Sequence, residues 1–249
     1  MDKQLFQQAC DKVMNTGLKP NGIGTLGEKT LHAILKNYFE PIEENHEIKV
    51  GSFIADIAGE KGIIEIQTRQ FNQLRKKLKL FLSQADVTVV YPIAHVKRLV
   101  WIDEQTGEVT KSRKSPKKGM PYDIFFELYK IKSLLQNPRL HFCIVMLDVI
   151  EYRSLNGWSM DKKKGSTRYN RIPTDLIHEI HISSPSEYGK LIPEGLEIQF
   201  TSKEFMKSSG LSLSAAQTAL NVLNSVGAVT RIGKQGNRYL YVRNVTYQA

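Results

Sequence analysis

Three residues in the first third of the chain have side chains that can act together: Asp56, Glu65 and Gln67. Phe53 to Ala58 and Ile63 to Thr68 read as strands joined by the turn Gly59-Glu60-Lys61-Gly62. With either two or four residues in that turn, Asp56 falls directly opposite Glu65, and both side chains point to one face of the hairpin. Like charges opposed on a sheet repel, so the pair calls for a cation or a shared proton. Gln67, two residues beyond Glu65, projects from the same face. Hard oxygen ligands from adjacent strands suit Mg²⁺ or Mn²⁺, with waters and substrate phosphate oxygens completing the shell. That in turn suits metal-assisted phosphodiester hydrolysis, in which the ion would lower the pKa of a bound water and neutralise charge on the phosphate.

The elements that must position these residues follow from periodicity. Gln4 to Asn15 reads as a short amphipathic helix ended by Gly17 and Pro20, and Leu31, Ile34, Leu35, Tyr38 and Phe39 mark a stronger one before Pro41. His46 to Val50 switches to period two. Beyond the hairpin, Phe71 to Leu82 places Leu74, Leu78, Phe81 and Leu82 on one helical face, with Arg75, Lys76, Lys77 and Lys79 mostly on the others. Val87 to Tyr91 reads as a buried strand closed by Pro92, and a helix between two strands suits a parallel crossover. A further strand, Leu99 to Ile102, a polar loop from Gln105 to Gly119, a helix from Tyr122 to Leu135 and an apolar strand from Leu140 to Ile150 come next. Pro185 to Gly195 has the composition of a connection. After it, Thr201 to Ser208 reads as a short helix, and a second helix is capped by Ser212 or Ser214 and ended by Gly227. Val229 to Ile232 and Arg238 to Val242 then form a two-stranded ribbon with a basic tip.

Glu28 on an early helix, then Ile54-Ala55-Asp56, then Ile63-Ile64-Glu65-Ile66-Gln67, resembles the core of the PD-(D/E)XK nuclease superfamily over roughly residues 20 to 92. The resemblance implies an α/β fold, of the α+β mixed-sheet kind, with a restriction-endonuclease-like αβββαβ core. It implies that Asp56 and Glu65 are metal ligands, that Glu28 is an accessory acidic ligand, and that Gln67 stands at the position of the motif's lysine. No proline precedes Asp56, and Gln for Lys removes a positive charge that would orient the attacking water and stabilise the pentavalent phosphate. Lys29, Lys61 and Arg69 are candidates to supply that charge. Residues 174–249 resemble a winged helix-turn-helix domain, which divides the chain into an expected nuclease-like part, 1–173, and a winged part. By the usual docking geometry Ser214, Gln217 and Asn221 would enter a major groove, and Arg231, Lys234 and Arg238 would meet backbone or minor groove. The helix carrying the first three has almost no basic residue, so it can equally pack on another chain.

The charge balance agrees with a polyanionic partner: 35 Lys and Arg against 25 Asp and Glu leave +10. From Thr201 to Ala249 six cations face Glu204 alone, half of that excess. Lys111, Arg113, Lys114, Lys117 and Lys118 form one basic stretch, and Lys162, Lys163, Lys164 and Arg168 a second; each reads as a backbone-binding or a solvated loop. No apolar run has the length of a membrane helix and Met1 to Cys10 lacks an apolar leader block, so a cytoplasmic protein is expected. Cys10 and Cys143 make neither a zinc cluster nor a disulfide framework. Gly22-x-Gly24-x-x-Gly27 matches the dinucleotide fingerprint in spacing but lacks the preceding strand and parallel unit, and so reads as a helix entry. Thr25 to Glu28 also fits a capping box, a structural role for Glu28. His178 and His181 read as ordinary residues of a helix. The expectation is a Mg²⁺-dependent deoxyribonuclease whose winged helix holds DNA, with a homodimer as one way to present two sites. The alternative is an inactive nuclease-like DNA-binding regulator.

Overall fold

A computed structural model describes residues 1–15, 29–103, 105–155 and 167–244. In chain order its elements are α1 (Lys3–Asn15), α2 (Lys29–Phe39), β1 (His46–Val50), β2 (Phe53–Gly59), β3 (Gly62–Ile66) and α3 (Phe71–Leu82). They continue with β4 (Val87–Ile102), β5 (Arg113–Lys114), α4 (Phe125–Lys130), β6 (Leu140–Ser154) and β7 (Thr167–Ile182). The last are β8 (Gln199–Thr201), α5 (Ser202–Ser209), α6 (Leu213–Ser225), β9 (Val229–Gln235) and β10 (Arg238–Arg243). The class is α+β: one mixed sheet in the order β1-β2-β3-β4-β6-β7 with β5 on β4, and a small sheet β8-β10-β9. Strands β3 and β4 run parallel across α3, whereas β2 and β3 are antiparallel. The chain divides into two compact units, residues 1–47, 92–120 and 145–179 in one and 48–91, 121–144 and 180–249 in the other.

In the first unit α1 lies against α2 through Phe6, Ala9 and Cys10 on one side and Leu31, Ile34, Leu35 and Tyr38 on the other. The Phe6 and Tyr38 rings meet edge to face at 5.5 Å. The Tyr38 hydroxyl donates to Glu179 at 2.7 Å, and the Met1 ammonium reaches the same carboxylate at 3.4 Å. In the second unit Phe71, Leu74, Leu78 and Phe81 form the buried stripe of α3. Phe71 meets Tyr91 edge to face at 5.5 Å and stacks on Phe142 at 6.3 Å. No side chain from α3's own N-cap closes that helix; Glu127 of α4 accepts from the Phe71 N–H at 2.8 Å instead, held by Lys130 at 2.6 Å. The β2–β3 turn depends on Gly62, at φ +94° with an added Cβ only 2.6 Å from the Asp86 carbonyl oxygen.

Several expectations are corrected. Pro92 does not close a strand: β4 runs unbroken from Val87 to Ile102. The Val90 carbonyl accepts from the Gln67 N–H at 2.9 Å, and the next N–H on that edge would be that of residue 92, past the last paired residue of β3. A proline there forfeits no ladder bond. His178 and His181 lie on strand β7, where Ile177, Ile180 and Ile182 favour extended backbone over a helix. A boundary between 173 and 174 falls inside this strand, which ends at Ile182. Tyr122 to Leu135 is two 3₁₀ turns flanking the short α4, broken where Ile131 takes φ −118°. The ribbon gains a third strand, β8. Among the described residues no helix is long and apolar enough to cross a membrane.

Candidate functional site

The β2–β3 register is the expected one. Gly59 pairs Gly62, Ala58 pairs Ile63 and Ile57 pairs Ile64, so Asp56 comes opposite Glu65. There the side chains take over from the backbone ladder. The Asp56 N–H donates to Glu65 Oε1 at 3.2 Å, and the Ile66 N–H donates to Asp56 Oδ2 at 2.7 Å. Each carboxylate therefore serves the other strand's backbone, which fixes the two groups side by side. Glu65 is only 2% exposed, while Asp56 is half-buried. Burial and the adjacent Asp56 carboxylate push the Glu65 carboxyl up to about 7, against the opposing pull of Lys77 and the Asp56 N–H.

Lys77 of α3 completes the site. Its Nζ lies 2.6 Å from Glu65 Oε2, with its side chain 18% exposed and its ammonium 5.6 Å from the centre of the Phe81 ring. A cation thus stands beside the carboxylate pair, although not from the residues named for it: Lys61 and Arg69 are exposed, and the side chain of Lys29 lies outside the described residues. The signal was present in the sequence. Lys77 is three residues from Leu74 and four from Phe81, at the margin of the apolar stripe, whereas Lys76 and Lys79 are exposed and Arg75 donates to the Lys130 carbonyl. Gln67 does not reach the carboxylates; its Nε2 donates to the Arg69 carbonyl at 2.5 Å. Glu28 lies outside the described residues. Two adjacent carboxylates are a hard oxygen donor set that fits Mg²⁺ or Mn²⁺, and an ion bound to Glu65 Oε2 would compete with Lys77 for that oxygen.

The other named residues lie on other elements. Lys111, Arg113, Lys114, Lys117 and Lys118 are all exposed, with Leu99 paired to Arg113 and Arg98 to Lys114. Lys162, Lys163 and Lys164 lie outside the described residues, while Arg168, on β7, ion-pairs with the buried Glu151. On α6, Ser214, Gln217, Asn221 and Asn224 form one exposed stripe opposite the buried Ala216, Leu220 and Leu223. Two of these are already engaged within the unit: Asn221 accepts from Lys132 at 2.9 Å, and Asn224 accepts from the Arg231 N–H at 3.0 Å. Thr201 and Glu204 form a capping box on α5, and Ser212 caps α6 through the Ala215 N–H. Arg231, Lys234 and Arg238 are exposed on the ribbon, and Arg231 and Lys234 stand 4.2 and 5.4 Å from the centre of the Tyr239 ring. Cys10 and Cys143 are buried and form no disulfide. Burial, aided by Asp11, pushes the Cys10 thiol up to about 11.

Residues 29–183 match the domain of unknown function DUF8091, more than half of the chain, and the chain belongs to that family. The match includes Asp56, Glu65 and Lys77 and stops short of the α5–β10 segment. An uncharacterized protein of Treponema pallidum (strain Nichols) is 33% identical over 152 residues, 60% of this chain and 57% of that protein. The chain thus spans little more than half of that relative's length. No solved structure matches it.

Proposed function

We propose that the protein is a metal-dependent nuclease of the PD-(D/E)XK kind, acting on DNA, with its C-terminal helices and ribbon serving as a winged-helix DNA-binding part. The observation that carries this reading is the opposition of Asp56 and Glu65 across β2 and β3, with each carboxylate bonded to the other's strand. Asp56 and Glu65 would hold Mg²⁺ or Mn²⁺, with Glu28 as an accessory ligand. The ion would supply an acidified water and charge neutralisation at the scissile phosphate. Lys77 provides the positive charge that Gln67 lacks, and its 2.6 Å contact with Glu65 keeps that charge beside the reacting centre. In the ion-free state Lys77 opposes, without overcoming, the upward push of burial and Asp56 on the Glu65 carboxyl. Ser214, Gln217 and Asn221 would face base edges, and Arg231, Lys234 and Arg238 the phosphate backbone.

The test is cleavage of plasmid, linear, branched and single-stranded DNA with Mg²⁺ or Mn²⁺, comparing wild type with Asp56→Ala and Glu65→Ala. Strand breaks lost in both variants uphold the assignment, and breaks that survive both remove it. One observation favours a second reading, a DNA-binding protein without catalysis: Glu65 Oε2 and Asp56 Oδ2 already have partners in Lys77 and the Ile66 N–H. Calorimetric titration with Mn²⁺ separates the two, since heat lost in Asp56→Ala belongs to a working metal site. Light scattering reads whether the chain forms a homodimer.

A further inference from the structure

Glu151 of β6 is fully buried, and cations of the first unit reach it from its own strand and from its two neighbours, β4 and β7. Arg153 takes Oε1 with two nitrogens, Nε at 2.9 Å and Nη2 at 2.6 Å. Arg171 of β7 takes Oε2 through Nη2 at 2.9 Å. Arg168 Nε and Lys97 Nζ stand 3.5 and 3.7 Å from the same oxygen, beyond the short contacts. Among the described residues four cations therefore face this one carboxylate, and three of them, Lys97, Arg153 and Arg171, are each less than a quarter exposed.

A structural ion pair needs one cation for a buried carboxylate, and two guanidiniums already use both oxygens of Glu151. The surplus is costly unless something else shares it. The donor inventory gives the same answer: each guanidinium carries five N–H groups, and Arg171 Nε is buried with no hydrogen-bond partner among the described residues. Burial opposes the ionised carboxylate, yet hydrogen bonds from Arg153 and Arg171 and the charge of Lys97 hold its carboxyl down to about 2. Glu151 is thus a permanent anion that braces the guanidinium forks. Burial holds the Lys97 ammonium below its ordinary range against the pull of Glu151, and the neighbouring guanidiniums add to the effect, as expected of a cation short of negative charge.

The anion that such a cluster suits can be specified. Planar guanidinium forks with an ammonium beside them match the oxygens of a phosphate. The positive surface continues from the cluster: the Lys97 carbonyl accepts from the Ser115 N–H at 2.7 Å, next to the exposed pair Arg113 and Lys114. A track of separated cations fits a string of phosphates better than a lone carboxylate ligand. We propose that Lys97, Arg153, Arg168 and Arg171, braced by Glu151, form a phosphate-oxyanion site, with a nucleic-acid backbone as its source. Only the choice of source rests on the functional reading above.

Lys97→Gln with Arg168→Gln tests it, because both side chains lie outside the short contacts that satisfy Glu151. Anisotropy of a short labelled DNA duplex, measured in EDTA over a salt series with the full chain, reads the first source. Calorimetry with inorganic phosphate reads the second. The expected result is a double variant that melts with the wild type but binds duplex more weakly, its log-affinity against log-salt slope shallower by about two. Phosphate heat lost in the variant, with duplex binding unchanged, upholds the oxyanion site and assigns it to a free phosphate. Unchanged affinity for both probes in the folded variant overturns the proposal. If the double variant fails to fold, Arg168→Gln alone, 43% exposed, is read the same way with a slope change near one. Binding in EDTA is independent of strand breaks with Mg²⁺, so this site and the hydrolytic one fail separately.

Discussion

Glu65 and Glu151 are both buried carboxylates on strands of the mixed sheet, and their surroundings drive them in opposite directions. Burial and Asp56 raise Glu65 from 4.5 to about 7. A folded-state value above the unfolded one means that its stabilising contribution is complete below the unfolded pKa and is lost as pH rises through about 7. The gap amounts to on the order of 3 kcal/mol. Glu151 is lowered from 4.5 to about 2 by Arg153 and Arg171 despite burial, so its contribution, also on the order of 3 kcal/mol, is present above the unfolded pKa and lost as pH falls through about 2. Urea denaturation without metal should therefore show stability falling from about pH 5 to about pH 8, with Glu65→Gln flattening that fall. A wild type that gains stability across this window would rule out the raised Glu65. Glu151→Gln should be less stable than wild type at neutral pH and should lack its share of the acid loss. Lys77→Ala removes the charged partner of Glu65 and should cost about 1.5–3 kcal/mol. It should also slow any Mg²⁺-dependent cleavage; a full wild-type rate would strip Lys77 of its place in the reaction. At this scale the sequence shows the carboxylate pair, because residue spacing across a hairpin is fixed by the period of two. Lys77 is legible only as the one of four basic residues of α3 that stands at the margin of the apolar stripe, where it packs along Phe81.

The hairpin is the element on which the carboxylate pair depends. A slip of one residue between β2 and β3 would send Asp56 or Glu65 to the other face. The turn prevents this by requiring glycine at 62, where φ is +94° and a Cβ would stand 2.6 Å from the Asp86 carbonyl. Gly62→Ala should therefore cost about 1–3 kcal/mol in urea denaturation and disturb the carboxylate pair with it. A substitution with no measurable cost would show that the turn does not set the register. The hairpin and α3 were legible because turn chemistry and apolar period agree there. Other elements were not, for separate reasons. Pro92 ends a strand only when its missing N–H was needed, and pairing on that edge is a tertiary fact. His178 and His181 read as residues of a helix, while the β-branched residues around them carry the stronger preference for a strand. β8 is three residues long and exists through its pairing with β10, too short for any period to show.

The +10 charge is spread over several elements of the chain. Residues 29–183, the part shared with the DUF8091 family, contain the carboxylate pair and the cations around Glu151. The segment from β8 to β10 lies beyond that match and carries its own excess, with Arg231, Lys234 and Arg238 exposed around Tyr239, itself 45% exposed. Such cations act on a polyanion through counterion release, which sets affinity and its salt dependence but not the chemical step. Replacing Arg231, Lys234 and Arg238 together by Ala should flatten the salt dependence of duplex binding by about 2.7 in slope. Since they lie on an exposed ribbon, the fold should be untouched. If the protein cleaves DNA, the triple variant should raise KM at low substrate and leave kcat near wild type, the signature of lost uniform binding. Tyr239→Ala adds a discriminating arm. A ring used as a stacking platform should lose about 1–3 kcal/mol of single-strand affinity and little on duplex, whereas a ring that only braces Arg231 should weaken both alike. A triple variant with wild-type salt dependence would leave the ribbon no part in holding nucleic acid, and the exposed amide stripe of α6 would then be the face to test for contact with a second chain.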